Sequence, residues 1–301
     1  MEIVAARAGG SDLEPILQDY RRRYQLSETA VLNALFESLA AQRAQAWLAL
    51  DAGRPVGAII LSQQGKEAHL RLLHTMETAP AAAAALLEQT EALLRQGKAE
   101  RISGSLPFSP QDPLLQVLRQ HGYQATPRAR LVLDLAAVDT ALPHLPGYRF
   151  VSWQASYQDA AAVLLELAHR DSADIALQPE FAGLEGIQRL FQMVFAGHYG
   201  RFDPDLAWMA LAGEQLAGLA LNVWHAALQT QGFILDLAVA PAHRRQGLGR
   251  ALVLTTAHAF REAGAPKLGL AVTLVNRPAM ALYEGLGFQV EQYFSVIDKV
   301  L

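Results

Sequence analysis

The sequence predicts an α/β protein in which one pattern of strands and helices occurs twice. Short apolar runs typical of strands are separated by longer segments whose apolar residues keep helical spacing. Residues also recur at nearly constant distances, as expected for a duplicated domain. The matches are Trp47, Leu50 and Gly57 with Trp208, Leu211 and Gly218, at an offset of 161 (208 − 47), and Pro113 and Gly122 with Pro278 and Gly287, at an offset of 165 (278 − 113).

The first half has the order strand, two helices, three strands, helix, strand, helix, strand. Residues 47–50 and 56–61 flank a Gly- and Pro-containing turn and predict an antiparallel hairpin. An alanine-rich helix, a strand near Ile102, a helix from Pro113 and a strand over 129–135 follow. Residues 138–147 contain prolines and little periodicity, which indicates a linker, and the same order begins again at Tyr148. We therefore expect domains over residues 1–137 and 148–301.

The composition excludes several classes of function. A net charge of −4 and a pI near 6.1 give no general attraction to nucleic acid or to an anionic membrane. The absence of cysteine rules out disulfides, thiolate metal sites and a cysteine nucleophile. We expect no metal site. The first residues lack a signal-peptide pattern, and no run approaches about 18 apolar residues, so a cytoplasmic protein is expected.

The most informative stretch is a basic, glycine-containing loop in the second half. An apolar strand over 233–239 is broken by Pro241, and the loop leads into a helix that begins near Leu248. The free N–H groups at a helix start attract anions, and Gly247 and Gly249 let a ligand approach the backbone. Positive charge is added by Arg244, Arg245 and Arg250. This arrangement predicts a pyrophosphate site.

Neither of the common nucleotide-binding motifs is present. The loop has no Lys-Ser/Thr pair, which a P-loop requires, and Leu252 stands where the dinucleotide fingerprint has its third glycine. What remains is Arg-x-x-Gly-x-Gly after a strand. Downstream come a second apolar strand, then Asn276, and then Tyr283 four residues before Gly287. Together these motifs resemble the acetyl-CoA-binding signature of the GNAT superfamily of acyl-CoA N-acyltransferases.

The resemblance implies a role for each matching residue. The backbone of Leu237, Ala238 and Val239 would hold the pantetheine arm, and the amides of Gln246, Gly247, Leu248, Gly249 and Arg250 the pyrophosphate. Asn276 would contact the cofactor, and Tyr283 would protonate the leaving thiolate. In each half the resemblance implies a central, mostly antiparallel sheet flanked by helices. The tandem arrangement resembles that of mycothiol synthase.

Plainer interpretations exist for three of these elements. Tyr283 could simply pack its ring in the core, and Asn276 could cap a helix. Arg244 and Arg245 could lie at a solvated helix start. Asp236, on the face of its strand opposite to Leu237, is the first candidate for the general base. His225, Glu180 and His198 are weaker candidates, and the acceptor loops are expected over 169–181 and 197–203.

The first half lacks the cofactor residues. Its segment 78–85 replaces the basic loop with Thr-Ala-Pro-Ala-Ala-Ala-Ala-Ala, and its matches to Tyr283 and Asn276 are Leu118 and Gln111. We therefore expect a degenerate N-terminal domain beside a C-terminal acetyl-CoA-dependent N-acetyltransferase. The acceptor would be a small amine that receives the acetyl group directly in a ternary complex. A monomer, as an internal pseudo-dimer, or a weak homodimer is expected. An acyl-CoA sensor, a scaffold, and transfer to a hydroxyl or of a longer acyl chain are the alternatives.

Overall fold

The computed structural model describes residues 1–6, 12–26, 29–77, 79, 81–137, 143–170, 181 and 183–301, with α2 placed by its backbone over 29–34. Two compact units divide the chain. The first contains Met1–Arg128 and Tyr293–Leu301, and the second contains Ala129–Gln292. The strands of both are β1 Glu2–Ala5, β2 Gln45–Asp51, β3 Arg54–Gln64, β4 Glu67–Thr75, β5 Arg101–Leu106, β6 Gln124–Asp134, β7 Arg149–Ser152, β8 Gly200–Phe202, β9 Trp208–Ala212, β10 Gln215–His225, β11 Gly232–Val239, β12 Lys267–Thr273 and β13 Gln289–Val300.

The helices occupy the places that the sequence predicts between these strands. They are α1 Glu14–Tyr24, α2 Thr29–Ala40, α3 Ala82–Gln96, α4 Pro113–Gln120, α5 Gln158–His169, α6 Leu184–Phe195, α7 Leu248–Glu262 and α8 Arg277–Glu284. Both halves of the sequence therefore follow the order strand, two helices, three strands, helix, strand, helix, strand, with the short strand β8 added in the second half. The predicted α/β fold class with mixed sheets and flanking helices is confirmed.

In the first unit the strand order is β1-β2-β3-β4-β5-β13. The pair β4–β5 is parallel, whereas the other neighbours in this row are antiparallel. One face packs against α3 and α4, with Leu86, Leu87 and Leu115 fully buried, and α1 buries Ile16 and Leu17 against the sheet. The second unit has the order β6-β12-β11-β10-β9-β7, with β8 beside β10.

The compact units differ from the division of the sequence at residues 137 and 148. Their boundaries fall within β6 and β13, so the last strand of each repeat continues beyond the unit that contains the rest of that repeat. In the first unit, residues from Ser295 to Val300 pair with β5, and the Ile297 side chain is fully buried in the core of α3 and α4. The Lys299 ammonium lies 2.6 Å from the Glu91 carboxylate, and both side chains are nearly buried.

Because the end of β13 belongs to the first unit, we predict that a change in β13 destabilises that unit. Replacing Ile297 with alanine leaves a cavity in that core, and we expect a loss of about 2–5 kcal/mol in the free energy of unfolding. The control Ile297→Val should lose only about 0.5–1.5 kcal/mol. Urea unfolding followed by hydrogen exchange of α3 and α4 peptides measures the effect. Equal protection of those peptides in the alanine variant and the parent would contradict it.

A buried polar pair joins α1 to β4 in the first unit. The His74 ring is fully buried, its Nε2 lies 2.9 Å from Asp19 Oδ2, and Tyr20 and Tyr24 pack edge-on against it. Burial lowers the pKa of His74 more than the hydrogen bond to Asp19 raises it. Burial acts to raise the pKa of Asp19, but hydrogen bonds from His74 and Arg22 outweigh it and lower that pKa.

Acid should therefore weaken the first unit selectively. Because the His74 pKa is lower in the folded than in the unfolded chain, the unfolded chain binds more protons, and stability falls as the pH drops below about 6.5. Hydrogen exchange of α1 and β4 peptides, corrected for the intrinsic rate, should show this loss between pH 7 and pH 5. In His74→Gln, which keeps a donor for Asp19, the loss should be smaller. An identical pH response in the two proteins would refute the assignment.

Candidate active site

The site begins where two parallel strands of the second unit separate. β11 pairs with β12 from Gly232–Leu268 to Ile234–Leu270, while its pairing with β10 continues to Val239. A β-bulge falls at Leu235, because Asn222 faces Ile234 and the next residue of β10, Leu221, faces Asp236. Beyond the bulge, the edge of β11 that faces β12 is no longer paired with it and borders a gap between the two strands.

The peptide groups along this gap follow from the antiparallel register. The amide of Ala240 donates to the carbonyl of Ala217 at 2.9 Å, so Ala240 belongs to a hydrogen-bonded pair. Hydrogen-bonded and non-hydrogen-bonded pairs alternate, which makes Ala238 bond to β10 and turns the peptide groups of Leu237 and Val239 toward the gap. The Val239 carbonyl accepts a hydrogen bond from Arg244 at 3.1 Å. The peptide groups of Leu237 therefore face the gap as the resemblance implies for a pantetheine arm.

The loop after β11 presents a row of backbone N–H groups. After the turn Pro241–His243, Arg245 and Gly247 have positive φ angles of 62° and 83°, and α7 begins at Leu248 without a side-chain cap. The first helical bond joins the Ala251 amide to the Gly247 carbonyl. Among the residues that the structure describes, the six amides of residues 245–250 have no acceptor. The loop is therefore open toward an anion.

Side chains on the outer side of the loop hold this conformation. The Tyr148 hydroxyl donates to Gln246 Oε1 at 2.9 Å and lies 2.9 Å from His243 Nδ1. The Gln246 amide group in turn donates to the carbonyl of Ala242 at 3.1 Å. Gln246 thus uses its side chain to brace the loop and leaves its backbone N–H exposed. Tyr148, just before β7, was not predicted to have this role.

The three arginines of the loop have different surroundings. Arg244 bridges the Val239 carbonyl and, at 3.3 Å, the carbonyl of Ala168 in the last turn of α5. Arg250 donates to the carbonyl of Gly285 after α8 at 3.3 Å. The guanidinium of Arg245 has no hydrogen-bond partner within the described ranges. All three side chains are exposed and add positive charge beside the unpaired amides.

A cleft of about 1010 Å³ connects the loop with the gap between the strands. Most of the residues predicted to bind the cofactor line it, whereas Gln246 does not. Those that do are Leu237, Ala238, Val239, Arg244, Arg245, Gly247, Leu248, Gly249, Arg250 and Asn276, joined by Tyr283. A Cβ on Gly249 would lie 3.7 Å from Val239 and 3.6 Å from Leu282, which both line the cleft, so a larger side chain here would enter it.

Asn276 and Tyr283 combine a structural role with a place in the cleft. The Asn276 side chain caps α8 by accepting a hydrogen bond from the Ala279 amide at 3.2 Å. The Tyr283 ring is 7% exposed and packs edge-on against Phe288, with the ring centroids 5.6 Å apart. Each plainer interpretation therefore describes part of the environment, and both residues still line the cleft.

Asp236 forms a pair that the sequence did not predict. Its Oδ2 lies 2.8 Å from Nε2 of His169, the last residue of α5, and the two side chains are 8% and 14% exposed. The His169 ring stacks on Phe181 at 4.0 Å and lines the cleft. The other oxygen of Asp236 is buried without a hydrogen-bond partner in the described parts of the chain. The pair joins two residues that are 67 positions apart.

The weaker candidates for the base do not join the cleft residues. His225 Nδ1 accepts hydrogen bonds from the amides of Ala227 and Leu228, which gives it a structural role in the turn after β10. His198 lies on the exposed end of the α6 segment and is absent from the lining of the cleft. Glu180 and most of the predicted loop 169–181 lie outside the described residues, as do Thr78 and Pro80 of the first half.

The sequence is similar to those of known acetyltransferases. The model of the acetyltransferase (GNAT) family matches residues 174–288. A mycothiol acetyltransferase of Nocardioides is 31% identical over 187 residues, which cover 56% of this chain and 60% of that protein. The streptothricin acetyltransferase of Streptomyces lavendulae is 44% identical over 77 residues, 26% of this chain and 40% of that protein. The chain thus spans less than two thirds of these relatives.

Solved structures of GNAT proteins have a similar fold. A GCN5-related N-acetyltransferase from Sphaerobacter thermophilus aligns with a TM-score of 0.69 at 15% identity, over 99% of this chain and 95% of that one. A tandem GNAT protein from the clavulanic acid biosynthesis pathway aligns with a TM-score of 0.53 at 18% identity, over 99% and 98% of the two chains. None of the described helices is both long and apolar enough to span a membrane. The resemblance inferred from the loop and its downstream residues is confirmed: the chain contains an acetyltransferase domain of the GNAT family.

Proposed function

We propose that this protein is an acetyl-CoA-dependent N-acetyltransferase whose cofactor and catalytic residues lie in the C-terminal half. The observation that carries the proposal is the row of six unpaired amides at residues 245–250, placed at the end of two separating strands. A helix start with this many free N–H groups stabilises phosphate, and the adjacent arginines strengthen that preference. The cleft extends from this row to Tyr283, which gives room for an extended ligand.

The pyrophosphate and the pantetheine arm of acetyl-CoA each have residues of matching chemistry. The amides of residues 245–250 would hold the pyrophosphate, and the peptide groups of Leu237 and Val239 would hold the pantetheine arm as an added strand. Asn276 lies on the opposite wall, and its Nδ2 donates no hydrogen bond within the described residues. Bound acetyl-CoA would supply an acetyl group as a thioester. The fit rests on backbone and side-chain donors that have no acceptor among the described residues and that lie in or beside the cleft.

The proton transfers are assigned to two side chains. An acceptor amine must lose one proton as its nitrogen bonds to the acetyl carbon, and the departing sulfur must gain one. Asp236 would take the amine proton, directly or through a water, and Tyr283 would protonate the sulfur. A phenol with an ordinary pKa of about 10 is a suitable acid for a thiolate. Because the chain has no cysteine to carry an acetyl group, direct transfer in a ternary complex is proposed.

A small amine is the proposed class of acceptor. Streptothricin acetyltransferase and mycothiol acetyltransferase are the relatives that suggest it, while the name of another relative, N-alpha-acetyltransferase 30 of Xenopus laevis, points to peptide α-amines. Transfer from radiolabelled acetyl-CoA to a panel of amino sugars, streptothricin, polyamines and short peptides tests this. Labelling of at least one amine is the expected outcome. Tight binding of acetyl-CoA without transfer to any amine would favour a sensor instead.

A further inference from the structure

The second unit contains a histidine–carboxylate pair whose role in the reaction goes beyond the function proposed above and depends on it. We infer that His169 is a positioning residue, which holds Asp236 through Oδ2 so that Oδ1 remains the proton acceptor. Nε2 of His169 donates to Oδ2 at 2.8 Å. Oδ1 of Asp236 is buried and has no partner in the described chain. His169 lines the cleft, whereas Asp236 is not a lining residue and lies behind His169, to which it is hydrogen-bonded.

The cost of the unpaired oxygen argues for a function. Burying a carboxylate oxygen without a hydrogen bond destabilises a protein, and such atoms are rare in folded chains. Asp236 is 8% exposed at its side chain, so water does not readily replace the missing partner. A proton acceptor that meets its partner only when a substrate amine is bound accounts for this arrangement.

The first unit offers an internal comparison. There a similar pair joins α1 to β4, the strand before the alanine-rich helix α3. The second pair likewise joins the first helix of its repeat, α5, to the strand before α7. The residue types are exchanged, because in the first pair the helix carries Asp19 and the strand carries His74. Both oxygens of Asp19 are bonded, Oδ2 by His74 and Oδ1 by Arg22. The atom left without a partner is Nδ1 of His74, which is enclosed by tyrosine rings. The first pair thus lacks the open carboxylate oxygen that the second pair retains.

The end of α5 is fixed on both sides. The His169 ring stacks on Phe181, with ring centroids 4.0 Å apart and planes 14° apart. The carbonyl of the preceding residue, Ala168, accepts a hydrogen bond from Arg244 of the cofactor loop. A ring held in this way fixes the orientation of the carboxylate to which it donates, and proton transfer depends strongly on such geometry. In the proposed reaction the amine nitrogen would bond to the acetyl carbon, and the bond between that carbon and the sulfur would break. The proton lost by the nitrogen would pass to Oδ1, and the departing sulfur would take the hydroxyl proton of Tyr283.

The test compares three substitutions at the pair. His169→Leu removes the donor, His169→Gln keeps an N–H near the position of Nε2, and Asp236→Asn removes the base. With an amine found in the acceptor panel, Asp236→Asn should lower kcat by about 10²–10⁴-fold and His169→Leu by about 10-fold or more. The glutamine variant should recover most of the loss. Combining His169→Leu with Asp236→Asn should cost no more than Asp236→Asn alone, because the two residues act as a unit.

Two controls separate this role from a structural one. The dissociation constant for CoA should change less than about twofold in each variant, since the pyrophosphate loop is untouched. His74→Leu, at the comparable pair of the first unit, should leave kcat within about twofold of the parent while lowering stability. The inference is overturned if His169→Leu keeps full kcat, if glutamine restores nothing, or if the losses multiply in the double variant. A parent protein that acetylates no amine would overturn the proposed function, and this inference with it.

Discussion

Replacing Gly247 with aspartate is expected to abolish the binding of coenzyme A while the protein stays folded. Gly247 has a φ of 83° and precedes α7, and its neighbours offer unpaired N–H groups. The nearest atom to an added Cβ, on Leu145, is 3.9 Å away, so the side chain has room. A carboxylate here would neutralise the positive charge of the helix start and repel a pyrophosphate. We expect the dissociation constant to rise by at least about 10³-fold, or about 4 kcal/mol.

Matched substitutions separate charge from backbone strain in that result. Asparagine has nearly the shape of aspartate and tolerates a positive φ, so Gly247→Asn should lose much less affinity than Gly247→Asp. Alanine reports the strain of the left-handed backbone alone, about 1–2 kcal/mol. Isothermal titration with CoA measures all three, and thermal unfolding confirms that each is folded. Near-normal affinity in the aspartate variant would remove the pyrophosphate from this loop.

Replacing Tyr283 with phenylalanine is expected to lower kcat by about 10²–10⁴-fold, the usual contribution of a general acid. The ring is 7% exposed and packs against Phe288, so phenylalanine keeps the core contact. CoA affinity and the midpoint of thermal unfolding should therefore change little. Steady-state rates with the amine identified in the panel, together with a CoA titration, make the measurement.

The pattern of rates in this variant separates two roles for Tyr283. A general acid is needed when the sulfur departs, so its loss should lower kcat with little change in the KM for acetyl-CoA. A residue that only shapes the cleft would raise that KM and leave kcat near the parent value. An unchanged kcat would assign the proton of the leaving sulfur to another group.

Much of the fold could be predicted from local patterns. Residues 233–239 form an apolar run that indicates a strand, and the residues from Leu248 have apolar side chains at helical spacing after the break at Pro241. The structure has these segments as β11 and α7. The partner of β13 could not be predicted in this way. Its neighbour β5 lies almost 200 residues earlier in the chain, as the Arg101–Asp298 pair with a separation of 197 illustrates. Strand pairing over such distances leaves no local signal.

In the candidate site, too, contiguous residues could be predicted and contacts between distant residues could not. The loop was recognised as a candidate cofactor site because its glycines and arginines are contiguous and lie between a strand and the start of a helix. Asp236 was a candidate from its strand alone. Its partner His169 was named only as the start of a predicted acceptor loop, since a separation of 67 residues hides the contact. The brace by Tyr148, 95 residues from His243, was missed for the same reason.

We propose that the loop at residues 244–250 binds the diphosphate of coenzyme A. Calorimetric titration of the parent protein with CoA, repeated at several salt concentrations, tests it most directly. We expect one CoA to bind per chain, with an affinity that weakens as the salt concentration rises, because arginines and helix amides bind a charged group. Two CoA molecules per chain, or no heat of binding at any salt concentration, would contradict it.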